Sequence, residues 1–273
     1  MSTVRVLLLG DIVGAPGCAV FQKHIAKLRQ EYSIDAVIVN GENSADGKGI
    51  TPRIAKFFKH NGVDVVTTGN HIWAKREIYS YLSENKDVLR PANFPNGCPG
   101  VGVTTFACGA FTIGVINLQA RTFMREQVSC PFRAAESILT YLKTKTSIIL
   151  VDFHGEASSE KMALAYYLDG QISALVGTHT HVQTADNRVL PGGTAYITDL
   201  GMAGALNSMI GMKKNAIIQS ILTQMPTKFE VETQGPMVLC GVWIDIDTHS
   251  GKALAIERVY IVDNDVHLNG TEQ

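Results

Sequence analysis

Two histidines separated by one residue follow a short apolar run, and their spacing is typical of metal ligands. The run 172–176 predicts a buried strand, and Gly177 then lets the backbone turn. If the next residues stay extended, His179 and His181 point to one side, because alternate residues of a strand share a face. The pattern favours a pair of imidazole ligands at a strand's carboxyl end. Two solvated loop histidines are the alternative.

The first apolar run of the chain, residues 4–9, also ends in a side chain that can bind a metal. Gly10 and Asp11 follow the run, and a helix is predicted over about 18–31. A carboxylate directly after a first strand suits a hard cation. Asp11 as a cap of the following helix is one alternative. A dinucleotide site is another, but the glycine spacing here does not fit its fingerprint.

The second predicted strand, 36–39, ends in a short polar segment. Glu42 and Asn43 come next, before a loop over 44–49 and a helix that begins near residue 51. The two oxygens of Glu42 can bridge two cations, and the amide oxygen of Asn43 can serve as a neutral ligand beside them. A turn rich in Asn and Gly, without a ligand role, is the alternative.

Two further predicted strands repeat the pattern. The strand over 63–68 leads to Asn70 and His71, and a later apolar strand leads to His154. Asn70 and His154 are therefore candidate ligands. His71 is placed to face a substrate and donate a proton, with a hydrogen-bonded turn histidine as the alternative. Asp152 is a candidate orienting partner without an assigned ligand role.

The remaining pattern predicts an α/β protein. Residues 102–118 predict a hairpin, and the strands after His181 predict a second, mostly antiparallel sheet packed on the first. The other predicted helices span approximately 77–83, 132–143, 158–167 and 214–222. The loop 119–131, with Arg121 and Arg125, is either a lid over a substrate or solvated charge. Residues 266–273 predict a frayed tail.

Composition limits the class of protein. The 273 residues are 45% hydrophobic and 18% charged, which favours one compact domain over 1–273. A net charge of -1 argues against a broad polyanion-binding surface, so we expect no stable nucleic-acid partner. We expect a cytoplasmic protein, because no apolar run reaches the roughly 18 residues of a membrane span and the first residues lack the pattern of a signal peptide. The five scattered cysteines indicate neither a disulfide framework nor a thiolate zinc site.

The candidate ligands combine oxygen and imidazole donors without sulfur, a set that suits manganese, iron or zinc in octahedral-like coordination. They are Asp11, Glu42, Asn43, Asn70, His154, His179 and His181. Because parallel strands of a sheet share one carboxyl edge, we expect side chains from five strand ends to meet there.

The order of these motifs resembles the calcineurin-like metallophosphoesterase superfamily. Its blocks are a first-strand Asp, a bridging acid, GNH, a lone His and GHxH. The matching segments are Gly10-Asp11, Gly41-Glu42-Asn43, Gly69-Asn70-His71, His154 and Gly177-Thr178-His179-Thr180-His181. Val13 stands where the first block usually has a histidine, Glu42 replaces the usual Asp, and the last block begins GTH. These departures, with Gly-Glu-Asn-Ser at 41–44, are similar to the bacterial YmdB-type branch.

The resemblance implies a four-layer α-β-β-α sandwich with two packed mixed sheets flanked by helices. It implies hydrolysis of phosphodiesters, with 2',3'-cyclic nucleotides as substrate, by a water activated at a dinuclear manganese or iron site, zinc being an alternative. His71 would be the general acid. The implied ligands of one metal are Asp11, Glu42, Asn43 and His181, and those of the other are Glu42, Asn70, His154 and His179.

Three other functions stay open at this point. The same site could serve a phosphomonoesterase such as a 5'-nucleotidase. The protein could instead be a regulatory scaffold that binds metal with little catalysis. A metal-dependent amidohydrolase also uses HxH, but after an early barrel strand rather than a late one. The pattern leaves a homo-oligomer open.

Overall fold

Two six-stranded mixed sheets form the centre of the protein. The structure is a computed structural model that describes residues 2–266. The strands are β1 (Thr3–Ile12), β2 (Ala36–Asn40), β3 (Val65–Thr67), β4 (Val103–Cys108), β5 (Phe111–Gln119), β6 (Ile148–His154), β7 (Ala174–Thr178), β8 (Arg188–Val189), β9 (Ala195–Ile197), β10 (Met202–Ala205), β11 (Met237–Asp247) and β12 (Ala253–Asp263). The helices are α1 (Gly14–Glu31), α2 (Pro52–His60), α3 (Ile78–Glu84), α4 (Pro131–Leu142), α5 (Ser158–Tyr167) and α6 (Lys214–Thr223), with a 3₁₀ turn at Ile72–Ala74.

The first sheet is built around β1, in the order β12-β11-β10-β1-β2-β3. Successive residues of β1 point to opposite faces, and both faces are apolar. Leu7 and Leu9 pack with Phe21 of α1 and Phe58 of α2. Val6 and its neighbours of the same parity pack against the second sheet. The continuous apolar run at 4–9 is therefore a strand buried on both sides.

The second sheet has the order β4-β5-β6-β7-β9-β8. Its inner face, which includes Val115 and Leu150, shares one apolar core with the first sheet. Its outer face packs on α4 and α5 through residues such as Leu139 and Leu164. The layers run helix, sheet, sheet, helix, so the four-layer sandwich is confirmed.

The C-terminal strands differ from the sequence-based expectation. They do not form a separate antiparallel sheet. Strands β8 and β9 extend the sheet that contains β7, and β10, β11 and β12 extend the sheet that contains β1. The reason is long-range pairing: β11 runs antiparallel along β1, with Thr3 opposite Asp247 and Leu9 opposite Gly241. The hairpin of β4 and β5 is confirmed.

The segments that carry the candidate ligands follow two groups of parallel strands, one in each sheet, and not a single group. Strands β1, β2 and β3 run parallel in the first sheet, and β6 and β7 run parallel in the second. The expectation of a single shared edge is wrong, because the carboxyl edges of both sheets contribute. Among residues 2–266, no helix combines the length and apolarity that crossing a membrane requires. Most of the predicted tail, 267–273, lies outside the described residues, and the single-domain assignment stays a prediction.

Candidate metal centre

The two sheet edges bring all seven candidate ligands and His71 into one cluster. Asp11 lies within β1, which continues three residues beyond the predicted end of the strand, and His154 is the last residue of β6. The others follow the ends of β2, β3 and β7. Each neighbouring pair in the cluster is joined by a polar contact, and these contacts link the first sheet to the second.

His154 lies at the centre of one half of the cluster, in which it contacts Glu42, Asn70 and His179. Its Nε2 atom is 3.0 Å from Asn70 Oδ1, 3.0 Å from His179 Nδ1 and 3.1 Å from Glu42 Oε1. In an octahedral site with bonds of about 2.1 Å, neighbouring ligand atoms lie about 3.0 Å apart. Donor atoms of Glu42, His154 and His179 all lie within 4.8 Å of one another. The spacing fits a single cation held among these four side chains.

Glu42 supplies a second sign of a cation site. Its side chain is buried, and its Oε1 atom has no hydrogen-bond partner among the described residues. His71 Nδ1 and His154 Nε2 lie 3.4 and 3.1 Å from this oxygen without hydrogen-bonding geometry. Leaving a buried carboxylate oxygen unpaired is costly, and a bound ion is one of the few ways to satisfy it.

The ring of His154 is oriented by a chain of hydrogen bonds behind it. Thr178 Oγ1 donates to Asp152 Oδ1 at 2.7 Å, so it can only accept from His154 Nδ1 at 2.9 Å. The proton of the neutral ring is therefore on Nδ1, and the Nε2 lone pair faces the cluster. Asn40 and Thr67 also donate to Asp152. Asp152 thus has the orienting position expected from the sequence.

The other two histidines are held in the same way. His181 Nδ1 donates to the carbonyl oxygen of Ile210 at 2.8 Å, which leaves Nε2 directed at the cluster. His179 Nε2 lies 3.3 Å from the carboxylate of Glu156, and its Nδ1 faces His154. In each of His154, His179 and His181, one ring nitrogen therefore contacts an oxygen acceptor and the other faces the cluster, as in metal-binding histidines.

Asp11 and Asn43 lie beside His181 in the second half of the cluster. Asn43 Nδ2 donates to Asp11 Oδ1 at 3.1 Å and lies 3.0 Å from His181 Nε2, whereas Asn43 Oδ1 faces His71. Ligation through Oδ1 would require the amide to turn over. Asp11 does not cap α1, whose N-cap is Val13, and instead accepts a hydrogen bond from the backbone N–H of His179 at 3.1 Å.

His71 lies at the rim of the cluster, with 28% of its side chain exposed. Its backbone N–H donates to Glu42 Oε2 at 3.1 Å, which ties the turn to the buried carboxylate. Because Asn43 Oδ1 can only accept, His71 Nδ1 donates to it at 2.9 Å. The Nε2 atom is therefore the nitrogen that can face a substrate.

The electrostatics of the cluster favour positive charge. Burial alone would lower the pKa of His154, but the carboxylates of Glu42 and Asp11 raise it to about 9. Burial and the charge on His154 lower the pKa of His179 to about 4. Burial would raise the pKa of Glu42, yet His154 and His71 hold it well below its ordinary value. A cation among these groups would supply the charge that the carboxylates stabilise.

Sequence reasoning missed several supporting residues. Thr178 lies between the glycine and the first histidine of the HxH segment, a position that could have suggested its role. Glu156 follows His154 by two residues and offered a similar local signal. Lys161 offered none, because a lysine in a helix is common. Asp199 begins a loop, 199–204, that the sequence predicts to lie near the site but without identifiable chemistry. The lid hypothesis for Arg121 and Arg125 stays a prediction.

Comparisons with known proteins agree with this architecture. The sequence matches the family described as YmdB-like protein over residues 7–259. It is 46% identical over 265 residues to the 2',3'-cyclic-nucleotide 2'-phosphodiesterase of Bacillus subtilis (strain 168), covering 97% of this chain and 99% of that protein.

Two solved structures share the fold over nearly their whole length. A hypothetical protein from Thermus thermophilus has a TM-score of 0.87 and 39% identity, covering 95% of this chain and 100% of that one. A novel phosphatase from Mycoplasma pneumoniae has a TM-score of 0.91 and 33% identity, covering 97% of this chain and 95% of that one. Because nearly all of each chain is covered, the likeness extends to the fold as a whole.

Proposed function

Because the chain belongs to the YmdB-like protein family, we propose that it is a metal-dependent phosphodiesterase that hydrolyses 2',3'-cyclic nucleotides. One observation carries this proposal: His154 and His179 converge on Glu42, whose buried Oε1 atom has no hydrogen-bond partner among the described residues. The activity in the name of the Bacillus subtilis relative supports the choice of substrate. A cytoplasmic location and a homo-oligomeric state stay predictions.

We assign two cations to the cluster, with manganese or iron preferred and zinc as the alternative. The contacts of His154 support a cation held by Glu42, Asn70, His154 and His179. A second cation would be held by Asp11, Glu42, Asn43 and His181, provided that the Asn43 amide turns its oxygen inward. Glu42 belongs to both sets, and its two carboxylate oxygens would allow it to contact both cations.

When bound, such cations supply Lewis acidity that stabilises charge on phosphoryl oxygens and acidifies water. The side chains of the protein would orient the ligands and donate the proton. Asp152 and Thr178 hold His154 in the required tautomer. His71, at the rim, would give a proton from Nε2 to the ribose oxygen that leaves phosphorus, a contribution of typically 10²–10⁴-fold.

A phosphomonoesterase is the second candidate, because the Mycoplasma pneumoniae structure carries the description of a phosphatase. Both reactions use the same electrophile and the same proton donor. They differ in how many ester groups the phosphorus carries. The substrate profile therefore distinguishes them.

The experiment combines metal analysis of the purified protein with a substrate profile. Hydrolysis of 2',3'-cyclic AMP, 3',5'-cyclic AMP and 5'-AMP is measured before and after treatment with a chelator, and again after Mn²⁺ is restored. We expect highest activity on the 2',3'-cyclic substrate, loss with the chelator and recovery with Mn²⁺. Preference for 5'-AMP would favour the monoesterase, and activity that is indifferent to chelation would contradict both.

A further inference from the structure

A fully buried ion pair lies directly behind the HxH segment. Lys161 of α5 and Asp199, in the loop between β9 and β10, are both 0% exposed, and Lys161 Nζ lies 2.9 Å from Asp199 Oδ2. Burying two charges carries a desolvation penalty that the attraction between them often fails to repay. Fold stability alone is therefore a weak explanation for this pair.

The remaining hydrogen bonds of the two charged groups go to backbone groups around the cluster. Lys161 Nζ donates to the carbonyl oxygen of Thr178 at 2.9 Å. Asp199 Oδ2 accepts from the N–H of Thr180 at 3.1 Å, and Asp199 Oδ1 accepts from the N–H of Gly201 at 2.9 Å. Thr178 and Thr180 flank His179, so the pair fixes the peptide groups on both sides of that ligand.

The same pair reaches the first sheet through Gly201. The carbonyl oxygen of Gly201 accepts from the N–H of Asp11 at 3.0 Å. Asp11 belongs to β1, whereas His179 and His181 follow β7 of the other sheet. The pair therefore joins the backbones of candidate ligands that come from the two sheets.

The HxH segment needs such support because its backbone is strained. His179 has φ 106° and His181 has φ 63°, both in the region that side chains other than glycine rarely adopt. A strained conformation persists only where surrounding contacts determine it. Close packing adds to this: a Cβ on Gly177 would lie 1.8 Å from the carbonyl oxygen of Thr198 and 2.8 Å from Lys161 Cδ.

We propose that Lys161 and Asp199 are positioning residues, which hold His179, His181 and Asp11 in the geometry that binds metal. The inference rests on the metal site under the proposed function. It predicts that loss of the pair weakens metal binding more than it weakens the fold. Partners of this kind behind metal ligands typically contribute 10–100-fold in affinity.

The test uses the double variant Lys161→Met with Asp199→Asn, which removes both charges together and leaves neither buried without its partner. Mn²⁺ affinity is measured by competition with a chelating dye, and thermal unfolding is measured in the presence of a chelator. The visible spectrum of Co²⁺ bound to the protein reports the ligand geometry. We expect a melting temperature close to that of wild type, a loss of Mn²⁺ affinity of roughly 10–100-fold and an altered Co²⁺ spectrum.

The matched control is the ion pair of Arg5 and Asp245, which joins the opposite end of β1 to β11 with contacts of 2.6 and 2.7 Å. The double variant Arg5→Met with Asp245→Asn should lower the melting temperature and leave Mn²⁺ affinity unchanged. The single variant Asp199→Asn leaves the Lys161 charge buried without its counter-charge, so it should lower the melting temperature more than the double variant does. A loss of Mn²⁺ affinity in the folded single variant provides a second version of the test.

Wild-type protein that binds no Mn²⁺ would refute the proposed function itself. If wild type binds Mn²⁺ and a folded Lys161/Asp199 variant binds it equally well, only the positioning role is overturned. Failure of both variants to fold would assign the pair to the fold and would also overturn the inference.

Discussion

Gly69→Ala is the substitution for which the structure gives the sharpest expectation. Gly69 immediately precedes Asn70 and His71. A Cβ at this position would lie 2.1 Å from Cδ2 and 2.3 Å from Nε2 of His154. Real Cβ contacts closer than 3.0 Å are essentially absent, so the imidazole or the Gly69 backbone must move by about 1 Å.

That displacement is large compared with the tolerance of a metal site. Ligand distances in such sites are normally held within about 0.2 Å. The His154 ring has no exposed surface, and Thr178 fixes its other nitrogen, so it cannot turn aside freely. We expect Mn²⁺ affinity to fall by about 100-fold or more, with an overpacking penalty of about 1–3 kcal/mol in the free energy of unfolding.

The assay is a Mn²⁺ titration of the folded variant beside a control, Gly204→Ala. A Cβ on Gly204 of β10 would meet Val13 Cβ at 3.4 Å, an ordinary contact distance. The control should bind Mn²⁺ as wild type does. Wild-type Mn²⁺ affinity in folded Gly69→Ala would refute the assignment of His154 Nε2 as a ligand atom.

Three further substitutions test individual roles. Glu42→Gln should empty or disorder both cation positions, measured as metal content of the purified protein; normal content would remove Glu42 from the bridge. His71→Ala should keep both metals and lose roughly 10²–10⁴-fold in turnover on nucleotides but little on p-nitrophenyl esters, whose leaving group needs no proton; equal losses on both would argue against a proton donor. Thr178→Val removes the hydroxyl between Asp152 and His154 at nearly constant volume, so Mn²⁺ affinity should fall by about 10–100-fold, and unchanged affinity would show that the chain of hydrogen bonds is dispensable.

The positions of the candidate ligands could be predicted from sequence because each follows a local pattern. A buried strand is an apolar run, and a polar side chain that ends the run lies at or near the carboxyl edge of the sheet. Gly10 and Gly177 lie within β1 and β7, so the expectation that the backbone turns at Gly177 is wrong. This pattern identified the segments of Asp11, Glu42, Asn70 and His154 separately. Their convergence into one cluster is observed in the structure, whereas their ligand roles stay predictions.

The sheet that each late strand joins and the role of Lys161 could not be predicted from sequence, because both depend on contacts between distant segments. The pairing of β11 with β1 joins residues more than two hundred positions apart, and no local signal states which sheet a late strand will extend. Lys161 follows three polar residues at the start of a helix, as a surface lysine would, yet its side chain is fully buried. Its role emerges only once Asp199 is known to lie beside it.

Anomalous X-ray scattering from crystals of the full chain soaked in Mn²⁺ tests the convergence of the two sheet edges most directly. We predict one peak among Glu42, Asn70, His154 and His179, and a second peak beside Asp11 and His181, with Glu42 shared and the Asn43 oxygen turned inward. Peaks confined to other parts of the molecule, with Glu42 Oε1 still unpaired, would contradict the account.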